Sequence, residues 1–127
     1  MSAVIYAVLS SVLMVVLALN VVKQRRLNQV LFGDGDVTAL LIARSAHANA
    51  AEYIPVTLIL LMALEYNGSP LWLVHGIGCV FMVGRLVHAR GMLAEVLPLR
   101  AFGMYLTLFS ILGLAIANMV YLPYDVF

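Results

Sequence analysis

Apolar residues in this chain fall into four long blocks, and the short stretches between them hold most of the charge. The blocks run from about Ala3 to Val22, Val37 to Leu64, Leu71 to Met92 and Ala101 to Leu122. Each reaches the ~20 residues with which an α-helix crosses a ~30 Å hydrocarbon core. The separators carry stop and turn signals: Lys23-Gln24-Arg25-Arg26, then Gly33-Asp34-Gly35-Asp36, and later Glu65-Tyr66-Asn67-Gly68-Ser69-Pro70. There is no internal repeat and no low-complexity segment. The pattern predicts an all-α membrane protein, a four-helix transmembrane bundle forming a single domain over residues 1–127.

Composition sharpens this picture. The chain is 65% hydrophobic and 10% charged, with a mean hydropathy of +1.07, whereas a soluble domain carries roughly 25% charged residues. Too little polar surface exists to coat a soluble globule. The net charge of +1 and the lack of a basic stripe beyond residues 23–26 argue against a nucleic-acid partner. The single cysteine, Cys79, cannot form an intrachain disulfide and reads as a small packing residue. The first block is not a secretory signal, because its basic residues follow the apolar run.

Lys and Arg in the connections predict orientation. Lys23, Arg25 and Arg26 lie between the first two blocks, and Arg90 and Arg100 bracket the turn between the last two. The other three connecting or terminal stretches have none, so both termini are expected on the extracytoplasmic side. Tyr6, Tyr66, Trp72, Tyr121 and Tyr124 then fall at the outer ends, as an interfacial aromatic belt does.

The second block carries the most chemistry. A helix from Val37 to Leu64 is about 42 Å long at ~1.5 Å per residue, more than the core requires. Counting inward from Leu64 puts Arg44 at the cytoplasmic boundary, His47 and Asn49 just inside it, and Glu52 about two turns in. The same count on the third block puts Arg85 and His88 at a similar depth. With Arg44 as zero, Glu52 falls near 80°, Asn49 near 140° and His47 near −60° at ~100° per residue. A carboxylate at that depth is costly unless paired, so Glu52 is expected to find Arg44 or Arg85. The plainer reading is that Glu52 and an arginine fasten helices together, and that Arg44 snorkels to the interface.

Pro55 removes the partner of the Ala51 carbonyl and predicts a kink beyond this cluster. Arg85, His88 and Met92 share one helix face by their spacing, while Arg90 points elsewhere. His75, at the other end of the third block, reads as structural. Asn118 and Ser110 read as interhelical hydrogen bonders. No metal-ligand spacing, phosphate loop or nucleophile elbow is present. What remains is a site of several cations, one acid, an amide and a histidine. It suits a small ligand with carboxylates and an amine, meeting an apolar co-substrate from the bilayer.

Those residues carry a resemblance. Arg44-Ser45-Ala46-His47-Ala48-Asn49-Ala50-Ala51-Glu52-Tyr53-Ile54-Pro55 and Gly84-Arg85-Leu86-Val87-His88-Ala89, with Leu97-Pro98-Leu99-Arg100, resemble the bacterial branch of the MAPEG family. These are membrane-associated proteins in eicosanoid and glutathione metabolism, among them microsomal glutathione transferases. The resemblance implies a homotrimer in a bacterial inner membrane, with glutathione as co-substrate bound between subunits near the cytoplasmic face. It implies ligand-binding roles for Arg25, Arg26, Arg44, His47, Asn49, Glu52, Tyr53, Arg85 and His88, and catalytic roles for Arg44, Arg85 and Arg100. A small lipophilic electrophile arriving through membrane lipid would be the second substrate.

There are departures from the family pattern. Met92 stands where glutathione-using relatives often have tyrosine, and some relatives carry an arginine at the place of Ser45. Two other functions fit parts of the pattern. A non-catalytic lipid- or amphiphile-binding scaffold of the same fold would use the same groove. Small four-helix exporters keep their acid in the first helix, which here has none.

Overall fold

The computed structural model describes residues 1–126. It contains four long helices, α1 (Val4–Asn28), α2 (Thr38–Tyr66), α3 (Leu71–Leu93) and α4 (Leu97–Val120), followed by a short 3-10 turn at Tyr124–Val126. All four long helices are long and apolar enough to cross a membrane. Their outward faces are rich in large apolar side chains such as Val8, Val12, Leu19, Ile59, Phe109 and Ile116. In water such a surface would drive aggregation; in hydrocarbon it is the solvated surface.

Two helix ends differ from the sequence expectation. α1 does not stop at Val22: it runs through Lys23, Arg25 and Arg26 to Asn28, where Gln29 closes it in a left-handed conformation. The basic residues are good helix formers, and cations suit the negative end of the helix dipole. α4 begins at Leu97, not Ala101, because Pro98 falls in the first turn, where its missing N–H is not needed. Arg100 is therefore a helical residue and not a loop residue. α2 passes through Pro55 as one continuous helix.

Each helix turns a narrow stripe inward. On α2 that stripe is Leu40, Ala43, Ala46, Ala50, Ile54, Thr57, Leu61 and Leu64, a three-and-four spacing dominated by small residues at one end. α1 lies mainly against α2, and α2 also packs on α3 and α4. The tightest pair is α3 and α4, and glycine makes it so. A Cβ on Gly91 would strike the backbone of Arg100, and one on Gly103 would strike the backbone of His88. Farther along the same pair, Gly76 and Gly113 face open space. The two helices are thus zipped at the end that carries Arg85 and His88 and splay apart at the other.

At the splayed end the α1 N-terminus meets the end of α2. The backbone N–H groups of Ser2 and Ala3 donate to the two carboxylate oxygens of Glu65, at 2.6 and 2.7 Å. Glu65 thereby caps a helix to which it does not belong, satisfying two orphan donors in the manner of an N-cap side chain. Asn118 joins α4 to α2 by donating to the Leu60 carbonyl at 2.9 Å. Ser110 does not join helices; its hydroxyl turns back to Leu106 in its own helix. Tyr6 is no belt residue either, because its ring lies buried against Gly78 between α1 and α3.

The packing makes a differential prediction. Gly103→Ala and Gly91→Ala should each lower the unfolding free energy by ~1–3 kcal/mol through backbone overpacking. Gly113→Ala should leave it unchanged or slightly raised, because the added methyl meets nothing. Reversible unfolding in mixed micelles measures all three.

Candidate functional site

Arg85 is the largest of the fully buried side chains, 1% exposed at the junction of α2, α3 and α4. Its Nη2 donates to Asn49 Oδ1 on α2 at 2.6 Å, and its Nη1 to Thr107 Oγ1 on α4 at 3.4 Å. The guanidinium also lies over the Tyr53 ring, 5.9 Å from its centroid. Its Nε has no hydrogen-bond partner. Among the described residues the partners of this buried cation are an amide, a hydroxyl and an aromatic face, with no carboxylate. An uncompensated buried charge is expensive, and the site carries a standing demand for negative charge nearby.

One helical turn on, His88 is 3% exposed. Its Nδ1 lies 3.0 Å from the Arg100 carbonyl oxygen. A carbonyl can only accept, so Nδ1 carries the hydrogen and donates it. In the neutral ring this leaves Nε2 as a bare acceptor, and Nε2 has no partner. The geometry depends on the glycine zipper, since the close approach of Gly103 to the His88 backbone brings the Arg100 carbonyl within reach.

Together these residues back a groove of about 530 Å³ lined by Asn49, Tyr53, His88, Leu97, Arg100, Met104, Tyr105 and their neighbours. Arg100 is exposed, and α4 begins at the groove, so its positive dipole end adds to the field of Arg100 and Arg85. Asn49, held by Arg85 through its oxygen, turns its amide nitrogen toward Met104 Sδ at 3.8 Å. Arg85 itself is not in the groove wall: it sets the orientation of Asn49 from behind. The groove presents the Arg100 guanidinium and the Asn49 amide, with the His88 ring in its wall and the unpartnered Nε2 enclosed there.

Arg44 and His47 lie elsewhere. They line a second groove of about 430 Å³ with Arg25, Leu41, Ser45 and Ala48, between α1 and α2. Arg25 is partly committed, its Nη1 donating to the carbonyls of Gly33 and Val30 at 3.0 and 3.4 Å, which pins the α1–α2 connection. Arg26 is exposed and lines neither groove.

Glu52 does not pair with Arg85 or Arg44, contrary to the expectation of a shared hollow. It is exposed on α2, while the guanidinium of Arg85 is occupied by Asn49 and Thr107. Glu52 also stands eight residues from Arg44, about 12 Å along the helix. Asn49 and Tyr53 face α3 and α4, whereas Arg44 and His47 lie more than a quarter turn away on the α1 side. One chain therefore presents two separate polar grooves on the two flanks of α2.

Sequence reasoning missed Thr107 and Met104. The paired glycines were the available signal, because Gly84, Gly91 and Gly103 mark where α4 must approach α3 closely enough to meet Arg85. Met92 is buried beside a smaller cavity with Ile42, Gly91 and Arg100.

A four-helix membrane bundle with a cationic groove at one end defines a class, and comparison with known proteins places the chain within it. The model of the MAPEG family matches residues 3–120, and the chain belongs to that family. It is similar to the inner membrane protein YecN of Escherichia coli strain K12, 37% identical over 125 residues that cover 98% of this chain and 95% of the relative. The protein of the same name from Escherichia coli O6:H1 matches to the same extent.

The Arg85 clamp makes a stability prediction. Asn49→Ala leaves a buried guanidinium nitrogen unpaired and should cost ~1–3 kcal/mol. Glu52→Gln should stay within ~0.5 kcal/mol of the parent, as an exposed substitution does. Parallel unfolding curves in one detergent decide it.

Proposed function

We propose that the protein is an integral inner-membrane glutathione transferase or peroxidase acting on lipophilic electrophiles. The observation that carries this reading is the unpartnered Nε2 of His88, buried at the wall of a groove that also presents Arg100 and Asn49. An acceptor beside cations fits a ligand that must both lose a proton and hold negative charge. Glutathione is such a ligand, with a thiol, two carboxylates and an amine. Family membership and the likeness to an Escherichia coli inner membrane protein support the fold and the membrane.

In this reading the His88 imidazole accepts the thiol proton at Nε2, and the Arg100 guanidinium stabilises the thiolate left behind. The thiolate is the reactive nucleophile. Asn49 donates to the peptide portion, and Tyr53 and Tyr105 supply aromatic walls. The residues fit the ligand only as a half-site, because one carboxylate-binding groove lies on the other flank of α2. The site closes between subunits: Arg44, His47 and Arg25 of one chain face the His88 groove of its neighbour in a homotrimer. Glu52, exposed on the flank between the two half-sites, then meets the ligand's amine or a neighbouring cation. Both termini lie outside, with the basic helix ends in the cytoplasm.

The buried Met92 favours a second reading, in which the groove binds an amphiphile without turnover, since no tyrosine hydroxyl enters from that position of α3.

Calorimetry with glutathione on the purified oligomer tests the proposal, using the parent, Arg100→Ala, Arg44→Ala and Glu52→Gln. Removing one charge-assisted hydrogen bond should weaken binding by roughly ten- to hundredfold. Loss in both arginine variants supports a site shared between subunits. Loss in Arg100→Ala alone would confine the ligand to one chain, and no binding by the parent would overturn the proposal. Binding without conjugation of a lipophilic electrophile would select the second reading.

A further inference from the structure

A second constellation lies on the same helix as the groove, running from its opposite end to its middle. His75, Cys79 and Met82 follow one another at four- and three-residue spacing on α3, which puts an imidazole, a thiol and a thioether on one face. Tyr6 and Ser10 of α1, also four apart, lie directly against them. The Tyr6 hydroxyl is 2.8 Å from His75 Nδ1 and 3.4 Å from Cys79 Sγ. The Ser10 hydroxyl donates to Met82 Sδ at 3.3 Å. Tyr6 and Ser10 are both buried, and the Tyr6 ring is fixed against Gly78, where any side chain would displace it. Cys79 is exposed at the edge of the cluster, so it is not the packing residue that the sequence suggests.

The geometry points to a binding site for copper(I), with His75 Nδ1, Cys79 Sγ and Met82 Sδ as ligands. Two lone-pair donors, Nδ1 and Sγ, already converge on one point, now held by a phenol hydroxyl. That hydroxyl has one proton to offer, and the His75 carbonyl at 3.2 Å competes for it. The donor set is soft, which suits copper(I). Among the described residues no three His, Cys, Asp or Glu side chains converge to hold a metal; here the third ligand is a thioether.

Charge decides the oxidation state. One thiolate with a univalent ion is neutral, while imidazole and thioether add no charge. A dication on the same ligands would leave a net positive charge within an apolar bundle, where charge is costly. On binding, the Cys79 S–H bond breaks and a metal–sulfur bond forms. The proton leaves to solvent, and no electron is transferred. Bound copper replaces the contacts of the Tyr6 hydroxyl with Nδ1 and Sγ, while the ring stays against Gly78 and the hydroxyl keeps its hydrogen bond to the His75 carbonyl.

Anaerobic competition with bathocuproine disulfonate, on the intact protein in detergent without glutathione, measures the affinity. The parent should hold one equivalent of copper(I). Cys79→Ser, His75→Gln and Met82→Leu should each bind at least about tenfold more weakly, since even outer-shell partners carry ~10–100-fold in metal affinity. X-ray absorption at the copper edge should show one nitrogen and two sulfur neighbours. Unchanged melting of Met82→Leu separates ligand loss from misfolding, because leucine keeps the packing volume. Failure of the parent to take up copper(I), or undiminished binding in any of the three variants, would overturn the proposal. Because the cluster is remote from His88, the result stands apart from glutathione binding.

Discussion

The guanidinium of Arg85 is shared among three helices, and much of the molecule's chemistry follows from how it is held. Asn49 reaches it from α2 and Thr107 from α4, with Tyr53 beneath its plane. Such a clamp forms only if α4 comes close, and α4 comes close only because Gly84, Gly91 and Gly103 offer no side chain at the contact. The same approach delivers the Arg100 carbonyl to His88. A packing device therefore fixes a tautomer, and the tautomer fixes what the groove can accept. Removing Asn49 or filling a glycine would disturb both levels at once.

The second consequence is architectural. A helix shows its neighbours different flanks, and α2 carries Asn49 and Tyr53 on one flank and Arg44 and His47 on another. A single chain cannot close both around one small ligand. In the homotrimer proposed above, one flank of each copy would meet the other flank of the next, so that two incomplete grooves complete each other. At the opposite end the bundle is held differently, by Glu65 capping α1 and by Tyr6 pressed on Gly78. The two ends thus carry unrelated chemistry: hard cations and an imidazole at one, soft donors at the other.

The number and place of the helices were legible in hydropathy alone, because only helices of that length satisfy backbone groups in hydrocarbon. Helix ends were less so: polar residues stop an apolar block without stopping a helix, and α1 continues through Arg25 and Arg26. The depth of Arg85, His88 and Asn49 followed from simple counting and places them together. Glu52 did not follow. Depth and helical angle bring Glu52 within range of a cation, but neither shows that Asn49 and Thr107 already occupy Arg85; that depends on which neighbours each face meets. Cys79 and Tyr6 went astray for the same reason, since burial depends on which neighbour a face meets. Thr107 and Met104 were signalled only indirectly, by the glycines that let α4 approach α3.

In the proposed reaction His88 offers a bare Nε2 to a thiol-bearing anion. The most direct measurement is the nitrogen-15 spectrum of the imidazoles in the labelled protein, with His88 assigned among the chain's three histidines by His88→Gln. An Nδ1–H tautomer with an unprotonated Nε2 is expected in the free protein, and the Nε2 resonance should move toward the protonated range when glutathione is added to saturation. An Nε2–H tautomer in the free protein, or an Nε2 resonance indifferent to glutathione, would contradict it.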